Sequence, residues 1–381
     1  MSVKNPFGKN YARKNQKTIA PPPPPPPPTQ TIEYAPGHWW LPLYNNLGGV
    51  VSRAAVFNEL AAYNFRGIKL RYSWMDFEST MNVYNFTQLD ADLAQCAATG
   101  KKLMMLISIG GLTDYCVPAY CRTAAYEMGQ WRFTSNQWTN TYGVRPTWWN
   151  SNLQIRVVAL LKALATHLKA SPYYSTFHGV GYTETIAEGA TDIVITTAMQ
   201  DGWYYCNKLV LTTLREQLPT KIVYQYLNSP RSRLNEIVEH LKLKKGAIGT
   251  PDTYIDGISG NMKGNRTSPT YQGIYEYFNQ ESHNVPIFGS IQPTNYQMNM
   301  APSDQNLPNH PPVYEPTIQQ LVDFNQNYLK TNYLIWTRFN GTSPSRGTVY
   351  YQEALSFLQQ PAQSSTPSGG LDSYYPDLLK S

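Results

Sequence analysis

Charge and sulphur are both scarce in this chain. Of its 381 residues only 15% are Asp, Glu, Lys or Arg, and 4 are cysteines. Cys96, Cys116, Cys121 and Cys206 show neither paired CxxC spacing nor His partners, which argues against the ordinary zinc sites. A Cys116–Cys121 bridge is conceivable, but reduced, mostly buried thiols and synthesis in a cytosol are favoured. No apolar stretch approaches the length of a membrane span. No apolar segment follows the basic N-terminus, so a secretory signal is not expected. Also missing are a Gly-rich phosphate loop behind the first predicted strand, a Ser-His-Asp set in local context, and a metal-ligand cluster. No cofactor and no metal are therefore expected.

Apolar and aromatic residues are plentiful instead. Hydrophobic residues make up 41% of the chain, enough for a sizeable core. Aromatics reach 13%, with 29 Tyr and 9 Trp, more than a core needs. Such rings stack on sugar faces or fill protein interfaces, and the bland alternative is an aromatic core with an assembly surface. Much of the net charge of +6 sits in "VKNPFGKNYARKNQK", which carries Lys4, Lys9, Arg13, Lys14 and Lys17 and no acid. Runs of this kind are usually solvated arms, and nucleic acid is disfavoured as a partner. Pro21 to Pro28 follow without interruption, a polyproline II rod of about 25 Å. Residues 1–36 therefore read as a basic arm and polyproline tether that would dock on a larger protein assembly. A disordered tail or a ligand for a proline-reading module is the alternative. Residues 359–381, opening with "QQPAQSSTPSGG", read as a flexible C-terminal tail.

Between these ends, strand-like and helix-like segments alternate. Strands are expected at 37–44, 66–74, 101–110, 177–184, 221–227, 247–252, 285–292 and 332–339. Helices are expected at 52–63, 87–100, 152–170, 204–218, 233–242, 271–282, 317–331 and 348–358. Eight βα units over 37–358 point to an α/β fold, a (β/α)8 TIM barrel, with an open doubly wound sheet as the runner-up. The connection over 111–150 is long and rich in Trp and Tyr, as a ligand-binding rim would be. His38 and His178 fall on strands and read as hydrogen-bonded barrel histidines.

Active sites of such barrels lie at the C-terminal strand ends. In "GVGYTETIAEG" (179–189) the fourth expected strand stops at Glu184. The segment "GIKLRYSWMDFESTMNVYNFTQLDADLAQCAATGKKLMMLISIGG" (67–111) carries Arg71, Trp74, Glu78, Tyr84, Asn85, Phe86 and Asp90. With "PTWWN" (146–150), "YTETI" (182–186), "IGTPDTYI" (248–255) and "YLIWTRF", it resembles glycoside hydrolase clan A, the TIM-barrel glycosidases. The resemblance implies that Glu184 is the general acid/base, that Arg71 reaches the site centre, and that a glycan is the ligand. It also implies a substrate-binding set of Trp74, Trp148, Trp149, Tyr182, Gln292, Tyr296 and Trp336. A barrel-mouth ion pair without catalytic part is the other reading of Arg71.

The seventh strand departs from the pattern. A retaining clan member should end it on a glutamate nucleophile about 5–5.5 Å from the acid. Here Gln292 stands there, and no acid occurs between Glu281 and Asp304. Asp252, Asp76 or Glu78 could take the second role, the site could bind without cleaving, or Glu315 could reach in. The expected protein is a glycoside hydrolase-like barrel cleaving a surface polysaccharide or glycan, tethered by its arm, as a bacteriophage virion enzyme would be. The rival is a non-catalytic structural or receptor-binding barrel.

Overall fold

The structure, a computed structural model, describes residues 31–42, 53–111, 114–135, 141–182, 184–185, 187, 189–228, 230–255, 272–292, 295, 316–338 and 346–380. Among them, β1 (Gly37–Leu41), β2 (Gly67–Ser73), β3 (Lys102–Ser108), β6 (Phe177–Tyr182), β7 (Ile222–Tyr226), β8 (Ala247–Gly249), β9 (Ile287–Ile291) and β10 (Tyr333–Thr337) close into a barrel. Every neighbouring pair is parallel, and β1 seals the ring against β10, with Gly37 opposite Tyr333. This is the expected (β/α)8 barrel, each strand a little shorter than its apolar run. The basic arm and the prolines lie outside the described residues.

Amphipathic helices surround the strands. The helix Thr197–Gln217 begins seven residues before the expected 204, because Thr196 caps it: its Oγ1 accepts from the Met199 N–H at 3.2 Å. The long connection after β3 folds into an antiparallel hairpin, β4 (Gln130–Ser135) with β5 (Thr141–Pro146), that periodicity did not reveal. No described helix is long and apolar enough to cross a membrane.

Strand alternation divides the core in two. Outward residues such as Ile68, Leu70, Tyr72, Leu334 and Trp336 pack under the helices. Inward ones, including Trp39, Met104, Leu106, Tyr224, Tyr226, Phe288, Tyr333 and Ile335, fill the barrel. Tyr224, Phe288 and Tyr333 stack, with centroids 4.7 and 4.2 Å apart. A Cβ on Gly181 would lie 2.0 Å from the Tyr224 ring, so that strand position has room only for glycine. His178 stacks on Trp39 and meets the Tyr333 hydroxyl at 3.1 Å; burial drives its pKa down to about 3 and keeps it neutral. His38 accepts from Trp336 Nε1 at 2.9 Å on Nδ1 and faces the Gly369 carbonyl at 3.0 Å with Nε2.

The lower mouth is closed by both ends of the described chain. Residues 31–36, read from sequence as part of the tether, belong to the barrel body. Ile32 and Ala35 join the interior cluster, the Ala35 N–H donates to Tyr333 Oη at 2.9 Å, and Glu33 pairs with buried Lys221. The supposed flexible tail also docks. Leu371 and Leu379 are buried, Asn332 Nδ2 donates to the Asp372 carbonyl at 3.0 Å, and Tyr375 Oη donates to the Ile32 carbonyl at 2.8 Å. Gly369, at φ +62°, lets the backbone press against the His38 ring, where a Cβ would come within 2.3 Å. A Ser/Gly-rich stretch was thus a docking turn.

A chain starting at residue 31 should therefore melt as cooperatively as the full chain. One starting at residue 37 loses Ile32 and the partner of Lys221, at a cost on the order of 3 kcal/mol. Calorimetry should show its Tm lower by about 5 °C. Equal melting of the two truncations would detach 31–36 from the barrel.

Candidate active site

The C-terminal ends of β6, β7, β8 and β9 bring together a polar group over the aromatic interior. Glu184 follows β6 and is exposed. Its Oε2 accepts from Asn228 Nδ2 at 2.7 Å, a residue just past β7. Asn228 is itself held by Thr185, whose Oγ1 lies 3.2 Å from both its side-chain Oδ1 and its backbone N–H. The buried Thr185 carbonyl accepts from Trp203 Nε1 at 3.2 Å and Tyr204 Oη at 3.1 Å. Both donors come from the helix Thr197–Gln217, Trp203 from its early start. Glu184 is therefore aimed by a chain of bonds running back to a rigid helix.

Asp252 follows β8 on a loop fastened from several sides. Gln292 Nε2 donates to the Pro251 carbonyl at 2.7 Å, and Tyr275 Oη and Thr250 Oγ1 donate to the Asp252 carbonyl at 3.2 and 3.1 Å. Asn295 Oδ1 accepts from the N–H groups of Gln292 and Thr253 at 2.7 and 3.2 Å, while its Nδ2 faces Asp252 Oδ1 at 3.4 Å. Burial, followed by the charge of Glu184, pushes the Asp252 carboxyl up to about 7, against the partial relief from Asn295. Below that pH it keeps its proton beside a second carboxyl group.

On β2 the inward face carries two cations one pleat apart. Lys69 is fully buried, with its ammonium on the Tyr226 hydroxyl, which meets Ser290 Oγ at 2.8 Å. Burial, then the neighbouring Arg71, drives the Lys69 pKa well down, and Glu184 opposes this. Arg71, at the rim, is exposed. No hydrogen bond or ion pair of the described residues includes it.

Other expected site residues lie elsewhere. Glu78 is fully buried away from solvent: it pairs with Arg156 and accepts from Trp74 Nε1 at 2.9 Å and the Asn82 N–H at 2.8 Å. It ties the β2 connection to the helix Ser151–Ala170 and is not a free carboxylate. Trp74 and Trp148 are buried and stack 6.1 Å apart, with Tyr182 packed 6.3 Å from Trp148. Trp336 is buried on the helix side of β10, since Ile335 is the residue that alternation turns inward. Trp149 is half-buried, donates to Glu127 at 2.7 Å and presses against Gly202. These rings build the scaffold rather than a sugar platform. Tyr296 lies outside the described residues, as does Glu315. The four cysteines are buried free thiols.

Asn228, Lys69, Tyr226, Ser290 and Asn295 were missed from sequence. Lys69 alone had a signal, the K-L-R alternation that puts it on the same face as Arg71.

Solved structures share this fold at very low identity. The catalytic domain of a beta-amylase from Paenibacillus polymyxa matches 86% of this chain and 100% of its own, at 10% identity and a TM-score of 0.55. A beta-galactosidase from Bacillus circulans sp. alkalophilus matches 87% at 12% identity with a TM-score of 0.58, and the chain spans 57% of that protein. A beta-galactosidase from the haloarchaeon Halorubrum lacusprofundi gives 88%, 12% and 0.53, over 58% of its length. All three are glycoside hydrolases on a TIM barrel, and the likeness is one of fold. No protein-family model and no curated protein matches the chain.

Two expectations follow from this geometry. Asp252 binds its proton more tightly folded than unfolded, so its contribution to stability is present at low pH and lost as pH rises from about 4 to about 7. In melts from pH 4.5 to 8, the Tm of Asp252→Asn relative to wild type should climb with pH; a constant difference would contradict the raised pKa. Replacing Glu78 with Ala strands the Arg156 guanidinium and should cost about 3 kcal/mol in denaturant unfolding. A loss below about 0.5 kcal/mol would show that the pair is not structural.

Proposed function

We propose that the protein binds a glycan across the upper mouth of its barrel and hydrolyses it with two carboxyl groups. Asp252 is the proton donor and Glu184 the ionised partner. This inverts the assignment implied by the family resemblance, which gave the acid role to Glu184. One observation carries the reading: two carboxyl groups share a mouth, and burial and the other's charge keep Asp252 protonated up to about pH 7. Pairs of groups whose surroundings push their proton affinities apart are how such sites divide acid and base work.

In the proposed reaction the Asp252 proton passes to the glycosidic oxygen as the bond to the anomeric carbon breaks. Positive charge grows on the sugar ring, and the Glu184 carboxylate, oriented by Asn228, stabilises it. Water completes the hydrolysis. Asn295 Nδ2 faces the oxygen on which Asp252 becomes negative. Gln292, at the usual place of a nucleophile, fastens the Asp252 loop through the Pro251 carbonyl. The basic run and the eight prolines support a further role, attachment to a larger assembly such as a bacteriophage virion.

The test is a panel of surface polysaccharides assayed for new reducing ends. Asp252→Asn and Glu184→Gln should each lower turnover by about 10²–10⁴-fold. Aryl glycosides with a nitrophenolate leaving group, which needs no proton, should suffer less from Asp252→Asn. Wild-type kcat/KM should fall on the alkaline side near pH 7. Full activity in Asp252→Asn would remove it as the acid. Binding without cleavage at any pH would make the barrel a glycan binder, the reading that Gln292 favours.

A further inference from the structure

Arg71 has an unusual position. It lies on the inward face of β2, where its sequence neighbour on that face, Lys69, is fully buried and occupied by Tyr226. Yet Arg71 is exposed, so the mouth is open to solvent at that point. Inward arginines on barrel strands ordinarily meet a carboxylate, because a guanidinium at a low-dielectric surface is costly without one. Gln292, which follows β9, is a carboxamide turned onto the Pro251 carbonyl. Glu184 is engaged by Asn228, and no ion pair of the described residues joins it to Arg71. The guanidinium thus faces the same cavity as the reacting groups with its planar fork of donors uncommitted.

We propose that the glycan taken by this mouth is acidic, and that Arg71 is the specificity residue that binds its carboxylate, a uronic or similar acid. The inference rests on the glycan reading above. Guanidinium and carboxylate match as two parallel hydrogen bonds, which an ammonium cannot reproduce. Lys69 beneath holds no competing anion, and its own hydroxyl partner keeps it out of reach of the ligand. A neutral sugar would leave the Arg71 fork facing water or unpaired, whereas a carboxylated one would supply its partner.

The experiment uses the full chain and six probes: polygalacturonate, alginate, hyaluronan, and each of these after reduction of its carboxyl groups to hydroxymethyl groups. Dextran sulfate controls for charge alone. Calorimetric titration should show wild-type binding to at least one carboxylated polymer and a loss of about 10–100-fold on its reduced form. Arg71→Gln should weaken the carboxylated form by a similar factor and the reduced form less than threefold. Arg71→Lys should recover only part of the loss. Preference of the wild type for a reduced form, equal losses on both forms, or wild-type binding of dextran sulfate as tight as that of the carboxylated polymer would overturn the role of Arg71. Those results would leave the glycan reading standing on neutral polymers. Failure to bind any glycan, acidic or neutral, with the barrel still folded by circular dichroism, would end both.

Discussion

A closed ring of parallel strands must fill its own interior, and the way this one is filled governs everything above it. Tyr224, Phe288, Tyr333 and Trp39 occupy the lower barrel as a stacked column with neutral His178 among them. Ile32, Ala35 and Leu379 close it from beneath. The floor of the upper mouth therefore rests on a largely apolar, aromatic interior. Asp252 and Lys69 sit on that floor, and both have their charged forms disfavoured by it. A looser interior would admit water and return both groups toward their ordinary proton affinities. The packing of the lower half thus bears on the proton affinities of both groups.

A carboxamide fastens part of the polar layer. Gln292 follows β9, and the carboxyl groups of this mouth stand on Asp252 after β8 and Glu184 after β6. Gln292 then serves as a fastener, holding the Pro251 carbonyl while its own N–H is held by Asn295. The Asp252 loop is held in place by these bonds.

Tryptophan illustrates how composition misleads about place. An excess of rings suggested a sugar platform, yet Trp74, Trp148 and Trp336 are wholly buried. They sit in the layer between strands and helices, where large flat side chains bridge wide gaps, and their N–H groups find buried acceptors in Glu78 and His38 for Trp74 and Trp336. The mouth, by contrast, is lined by short polar residues, Asn228, Asn295 and Gln292, that no compositional excess marks.

The sequence by itself determined the eight strands, their alternation with helices and the barrel, because those are read from local periodicity and strand-to-strand order. It also placed Glu184, Asp252 and Arg71 at strand ends, where a barrel puts its chemistry. It could not show that 31–36 and 359–380 belong to the body, since docking of an irregular segment depends on a surface made by distant residues. Nor could it distinguish buried Glu78, paired with a helix residue 78 positions away, from Asp252, whose neighbours arrive from the ends of β6 and β9 and from the helix Ile274–Glu281. A carboxyl group's role depends on its surroundings, and only closure of the ring brings Glu184, Asn295 and an apolar floor around Asp252.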